Sequence, residues 1–202
     1  MSLKPDIKEL FNRAFGIKPV SFDLPSSSNT HSPIYGNIPV KEQENSSRMS
    51  WLGTPIINPV MFKGGKYNKH KPNGSGVELV AMNDWYLPPA SLIDFSRSKI
   101  MSKTRIAGNN GTIKEIYGFT DWSIKIRGLC LDTPNESASE QYKELLKWED
   151  LADSIDVIGK LFVDKSIYKI SIEEIDFKQL EGSPNIIPFT INAISDVPLE
   201  TL

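Results

Sequence analysis

The sequence predicts a mainly β (α+β) fold: a β-barrel or sandwich with one flanking helix, preceded by an N-terminal helix and an extended arm. Three observations predict it. Trp122, Ile124 and Ile126 alternate with Ser123, Lys125 and Arg127, and Ile187, Phe189, Ile191 and Ala193 alternate in the same way, the period of half-buried strands. The 202 residues include 14 prolines and 13 glycines, which implies frequent turns. Ser137-Ala-Ser-Glu140 has the form of a capping box and opens the one broad helical stripe of the second half.

In chain order, Ile7, Leu10, Phe11, Ala14 and Phe15 follow helical spacing, with Pro5 suited to the first turn and Gly16 to the stop. A helix this short is marginal alone, so its stripe must dock on something. Residues 18–50 offer little to bury: Pro19, Pro25, Pro33 and Pro39 punctuate runs such as Ser26-Ser-Ser-Asn-Thr30. Their composition fits a disordered linker; the competing expectation is a polar arm lying on neighbouring subunits. Residues 1–50 are therefore separated from a β-rich domain at 51–202.

Within that domain, Pro55 to Phe62 reads as an edge strand, because proline lacks a ladder donor. Gly64 to Gly76 reads as a long exposed hairpin loop, Val77 to Met82 as a strand, and Trp85-Tyr-Leu-Pro-Pro89 as a bend. Ile100, Ser102, Thr104 and Ile106 share one strand face, and Gly108-Asn-Asn-Gly111 turns the chain into a half-buried strand at 113–117. Gly118-Phe-Thr-Asp121 then turns it into 122–127, giving a three-stranded meander. The helix is expected over 138–152, with Tyr142, Leu145, Leu146, Trp148 and Ala152 on its apolar side. In Ile167 to Phe177 the alternation at Ile170 and Ile172 changes phase across Glu173-Glu174, which predicts a β-bulge. The chain closes with a strand through Ile187–Ala193.

Charge and cysteine content remove whole classes of function. A formal net charge of -2 with interspersed signs gives no basic stripe, so no specific nucleic-acid binding is expected. Cys130 is the single cysteine and cannot form an internal disulfide. Met1 to Lys8 lacks the apolar core of a signal peptide, and no run approaches the ~20 apolar residues of a membrane span, so no membrane insertion is expected.

Candidate chemistry fares little better. Gly108-Asn-Asn-Gly111 is not a phosphate cradle: no lysine follows Gly111, the glycines are too close, and a strand comes next instead of a helix. It is a hinge, because Asn and Gly tolerate the left-handed backbone of tight turns. His31, His70 and Cys130 are too scattered for a metal set, so no metal and no cofactor is expected. A Cys130–His70 pair would need the fold to join them, and Cys130 reads better as a small core residue. Glu173-Glu174 and Glu149-Asp150 are acid–base candidates only if buried together, and adjacent strand residues point to opposite faces. Trp122 and Trp148 have core roles. Phe11 and Phe15 on the first helix, with Trp51, Trp85 and Tyr86 near loops, are the expected interface anchors.

Ser98-Lys-Ile-Met-Ser-Lys-Thr-Arg-Ile-Ala-Gly108, Gly111-Thr-Ile-Lys-Glu115 and Asp121-Trp-Ser-Ile-Lys-Ile-Arg-Gly128 resemble an uncharacterised family, domain of unknown function 6046, from phages and prophages of Bacteroidetes. The stretches Ser171–Gly182 and Asn185–Asp196 look like that family's close, and the resemblance spans roughly residues 51–196. It implies a tail-tube-like fold and a structural component of a phage tail or baseplate, with no catalytic residues to carry over. The implied partners are further copies of the chain, in a ring that is a hexamer or trimer, and neighbouring tail or baseplate proteins. The implied location is the virion tail, with assembly in the host cytoplasm. The alternative is a phage-encoded carbohydrate-binding module or small cell-wall hydrolase that stacks sugars on Trp51, Trp85 and Tyr86.

Overall fold

Alternation in the second half of the chain builds one open antiparallel sheet. In this computed structural model the described residues are 7–17, 59–71, 76–88, 90–108, 110–133, 136–180 and 185–196. The chain divides into two units, Met1–Ile57 and Asn58–Leu202.

The described part of the first unit is the helix α1 (Ile7–Phe15). Leu10 and Phe11 are buried on the expected stripe, and the Phe11 and Phe15 rings lie 5.4 Å apart. Gly16 ends the helix as expected: its φ of 67° is left-handed, and its N–H donates to the Asn12 carbonyl. Pro5, the polar arm at 18–50 and Trp51 lie outside the described residues.

The second unit begins with the short strand β1 (Met61–Phe62), then β2 (Gly65–His70), β3 (Val77–Met82), β4 (Trp85–Tyr86) and β5 (Ser91–Ser96). Next come β6 (Lys99–Arg105), β7 (Thr112–Phe119), β8 (Ser123–Leu131) and the helix α2 (Ala138–Glu149). It closes with β9 (Ile155–Ile158), the single turn α3 (Lys160–Val163), β10 (Lys169–Phe177) and β11 (Ile186–Ser195). Seven strands form one sheet in the order β4-β1-β9-β10-β11-β8-β5, while β2-β3 and β6-β7 are separate two-stranded ribbons. The mainly β reading holds. Among the described residues the large sheet has two open edges, β4 and β5, so the arrangement is sandwich-like and no barrel closes there.

One face of the sheet carries the core. Register puts Phe62 opposite Trp85 and Val157, Ile155 opposite Ile170, Ile175 opposite Ile191, and Ile191 opposite Ile126. These side chains are all buried, and each large one stabilises the fold by roughly 1.5–3 kcal/mol. The bulge lies where the phase change predicted it, with the β10–β11 register shifting between Ile172 and Glu174. The extra residue is needed because Ile170 and Ile172 would otherwise face away from Ile175 and Phe177. With it, all four address the same face.

The helix α2 covers that face. Its capping box forms as expected: Ser137 Oγ accepts from the Glu140 N–H, and Glu140 accepts from the Ser137 N–H. Trp148 and Leu145 are fully buried, with the Trp148 ring edge-on to Phe62 at 5.3 Å and to Tyr67 at 5.9 Å. Phe162 of α3 fills the far end against Phe95.

Several expectations are corrected. The helix stops at Glu149, not near 152, because residues 150–153 are drawn onto β2. There Leu151 bridges Lys69, and the Ala152 N–H donates to the Asn68 carbonyl at 2.7 Å. Within the expected loop Gly64–Gly76, Gly65–His70 is instead the strand β2, since polar residues can pair their backbones as well as apolar ones. The expected edge strand at 55–62 is paired on both sides where it is described, with its prolines before the ladder. The Trp85 bend opens with the edge strand β4. The three-stranded meander does not form: β8 pairs with β5 and β11, and β6-β7 stands apart. The strand at 113–117 is exposed, not half-buried. Strands β5 and β9 and the turn α3 were not anticipated.

Candidate functional site

The groups that could carry chemistry are held apart or already engaged. Cys130 is fully buried in β8, where desolvation pushes its thiol up to about 12, while His70 is exposed at the end of β2. His31 lies outside the described residues. Glu173 and Glu174 straddle the bulge and are both exposed, with Glu174 accepting from Asn192 Nδ2 at 3.1 Å. Glu149 is exposed; desolvation and then the Asp150 charge raise its carboxyl, and Asp150 pairs with Lys69 at 2.8 Å. No group of three or more His, Cys, Asp or Glu could hold a metal ion among the described residues.

A polar cleft of about 330 Å³ lies between β2 and the start of β9, lined among others by Asp153, Ser154, Asp156, Lys169 and Asp196. Its carboxylates are engaged. Asp153 accepts from the Asn68 N–H at 2.6 Å and from its side-chain amide at 3.2 Å, and these bonds hold it below the usual carboxylate range. Asp196 accepts from Ser154 Oγ, and Asp156 pairs with Lys169 at 3.6 Å. The bonds from Asn68 to Asp153 tie β2 to the start of β9.

The five expected anchors separate. Phe11 is buried and Phe15 half-buried in α1, while Trp51 is outside the described residues. Trp85 and Tyr86 are neighbours on β4, so they face opposite ways: Trp85 is 8% exposed against Phe62, and Tyr86 is 52% exposed. The two rings do not form one stacking surface.

The exposed apolar surface is concentrated elsewhere, on the β6-β7 ribbon. Among the described residues, seven of the fourteen exposed large hydrophobic side chains fall within residues 99–119: Ile100, Met101, Ile106, Ile113, Ile116, Tyr117 and Phe119. The strands of the ribbon pack mainly against each other, turning through Gly108 and Gly111, both at left-handed φ. At its base Arg97 lies over the Phe119 ring at 4.6 Å, and the Thr120 N–H donates to the Ser98 carbonyl. The expectation for this segment was a half-buried strand in a three-stranded meander. The signal against that was present: Ile113 and Ile116 fall on opposite strand faces, so neither face was cleanly polar.

The sequence profile of the family described as Domain of unknown function (DUF6046) matches residues 86–202, more than half the chain, leaving residues 51–85 of the expected span unmatched. No curated protein matches. One similar solved structure is the tail of an empty gene transfer agent (GTA) particle with C6 symmetry, at 14% identity and a TM-score of 0.32, covering 68% of this chain and 95% of that chain. Another is the virion of a native gene transfer agent particle, at 11% identity and a TM-score of 0.32, covering 65% and 91%.

Proposed function

The chain belongs to the DUF6046 family, and on that premise we propose that it is a structural subunit of a phage or phage-like tail, not a catalyst. In this reading it forms a ring, a hexamer or trimer, at the end of the tail tube or in the baseplate hub, and touches neighbouring tail proteins there. Its place is the virion tail, after assembly in the host cytoplasm.

The observation that carries the reading is the β6-β7 ribbon, whose large apolar side chains stay exposed. Large apolar side chains left exposed together on one element mark an interaction site. Two further features support it. The large sheet keeps open edges at β4 and β5, a hazard in a monomer that assembly removes. The candidate chemical groups that are described stand apart from one another or are engaged in structural bonds. A sugar-stacking platform would need Trp85, whose ring is spent on the core.

The test is mass spectrometry of purified particles from an induced prophage that encodes this chain, with negative-stain imaging of the purified chain. The chain is expected in particles at a copy number fitting a closed ring, and as ring-shaped species when concentrated. Its absence from finished particles would overturn the reading.

A further inference from the structure

The register of the β6-β7 ribbon sorts its side chains into two unlike faces. Lys103 lies directly opposite Lys114, and Met101 opposite Ile116. By alternation Lys99 and Arg105 join that face, so it carries four cations and no carboxylate. The single acid of the ribbon, Glu115, is on the other face, where it accepts from the Tyr117 hydroxyl at 2.6 Å. Like charges placed directly opposite in a ladder repel, and neither Lys103, Arg105 nor Lys114 has a carboxylate within ion-pair distance among the described residues.

The rest of the second unit carries the opposite excess. Residues 58–98 and 120–202 hold 13 Lys and Arg against 19 Asp and Glu. Three of those acids, Glu173, Glu174 and Asp176, stand exposed on β10, and none of them has an ion-pair partner among the described residues. Glu174 and Asp176 share the sheet face opposite the core, two residues apart, as Lys103 and Arg105 are on the ribbon. Same-face neighbours on a strand repeat at about 6.5–7 Å, so the two charge rows are commensurate.

We propose that the cationic face of the β6-β7 ribbon docks on the β10 carboxylates of a second copy of this chain. The inference rests on the self-association in the reading above and names its surface. Met101, Ile116 and Phe119 supply the apolar contact, and the charge rows set register and orientation. Because ribbon and β10 are different patches, the contact is heterologous: copies join head to tail, and a suitable rotation closes them into a ring.

The test uses the full chain. Unlabelled and ¹⁵N-labelled protein are mixed and treated with a zero-length carbodiimide cross-linker. Mixed-isotope links from Lys103 or Lys114 to Glu173, Glu174 or Asp176 are expected. In sedimentation, Lys103→Glu with Lys114→Glu weakens self-association by at least about tenfold, and adding Glu174→Lys with Asp176→Lys to the same chain restores it. All four positions lie outside the buried core, and unchanged thermal melting checks that each variant folds. Self-association without mixed-isotope ribbon links, insensitivity to the ribbon reversal, or a wild-type chain that stays monomeric throughout would each overturn the proposal. Particles that contain the chain while its ribbon links are missing would overturn this contact alone. Absence from particles while the links form would overturn the tail reading and leave the contact standing.

Discussion

Gly128 shows how one residue's lack of a side chain is used. A Cβ there would lie 2.4 Å from Phe189 Cζ and 2.7 Å from Ser91 Oγ, because the Phe189 ring crosses the backbone of β8 from the adjacent strand. The ring is fixed between β8 and β10, so Gly128→Ala is expected to destabilise the chain by about 1–3 kcal/mol in urea unfolding. An unchanged midpoint would mean that the ring moves freely. Cys130, two residues on, is a buried thiol pushed up to about 12. Its folded pKa lies above the unfolded value, so its contribution is complete below pH about 9 and declines as pH rises towards about 12. Each unit in that window removes about 1.4 kcal/mol. Tyr67, raised chiefly by burial, acts in the same direction at higher pH. Urea titrations above pH 9 are expected to show a shallower decline for Cys130→Ala than for the parent, and a thiol reagent to reach Cys130 only after unfolding.

At the scale of the element, the bulge in β10 decides which face the strand presents. Deleting Glu173 would turn Ile175 and Phe177 outward relative to Ile170 and Ile172, exposing apolar side chains on the solvent face. The deletion is expected to abolish cooperative melting by circular dichroism. Glu173→Ala, which keeps the extra residue, should stay within about 0.5 kcal/mol of the parent. Equal effects of the two changes would show that the side chain, and not the residue count, matters. The bulge was legible because a break in a period-two pattern leaves a trace in sequence. The early stop of α2 was not, since it depends on β2, some 80 residues upstream, recruiting Leu151 and Asp153.

For the whole molecule, the core and the ribbon are separable. Every residue of the core cluster lies outside 99–119, and the ribbon joins the body through contacts at its base such as Arg97 over Phe119 and Trp122. Replacing residues 101–117 by a short glycine-rich turn is therefore expected to leave the urea midpoint within about 1 kcal/mol of the parent while abolishing self-association. A large loss of stability would show that the ribbon belongs to the fold.

The sequence by itself determined the fold class, the capping box, the bulge and the closing strand, because each is written in the spacing of nearby residues. It also placed Cys130 and Trp148 inside. Strand partnership was decided only in tertiary structure. Nothing local says that β8 pairs with β5 and β11 instead of β7, since alternation specifies a face and not a neighbour. That choice set the β6-β7 ribbon apart with both faces exposed, while the pairing of β4 with β1 turned Trp85 inward and left Tyr86 outside. The candidate surface was therefore missed for a physical reason. Side chains that read as half-buried stay exposed when the strand expected beside them pairs elsewhere.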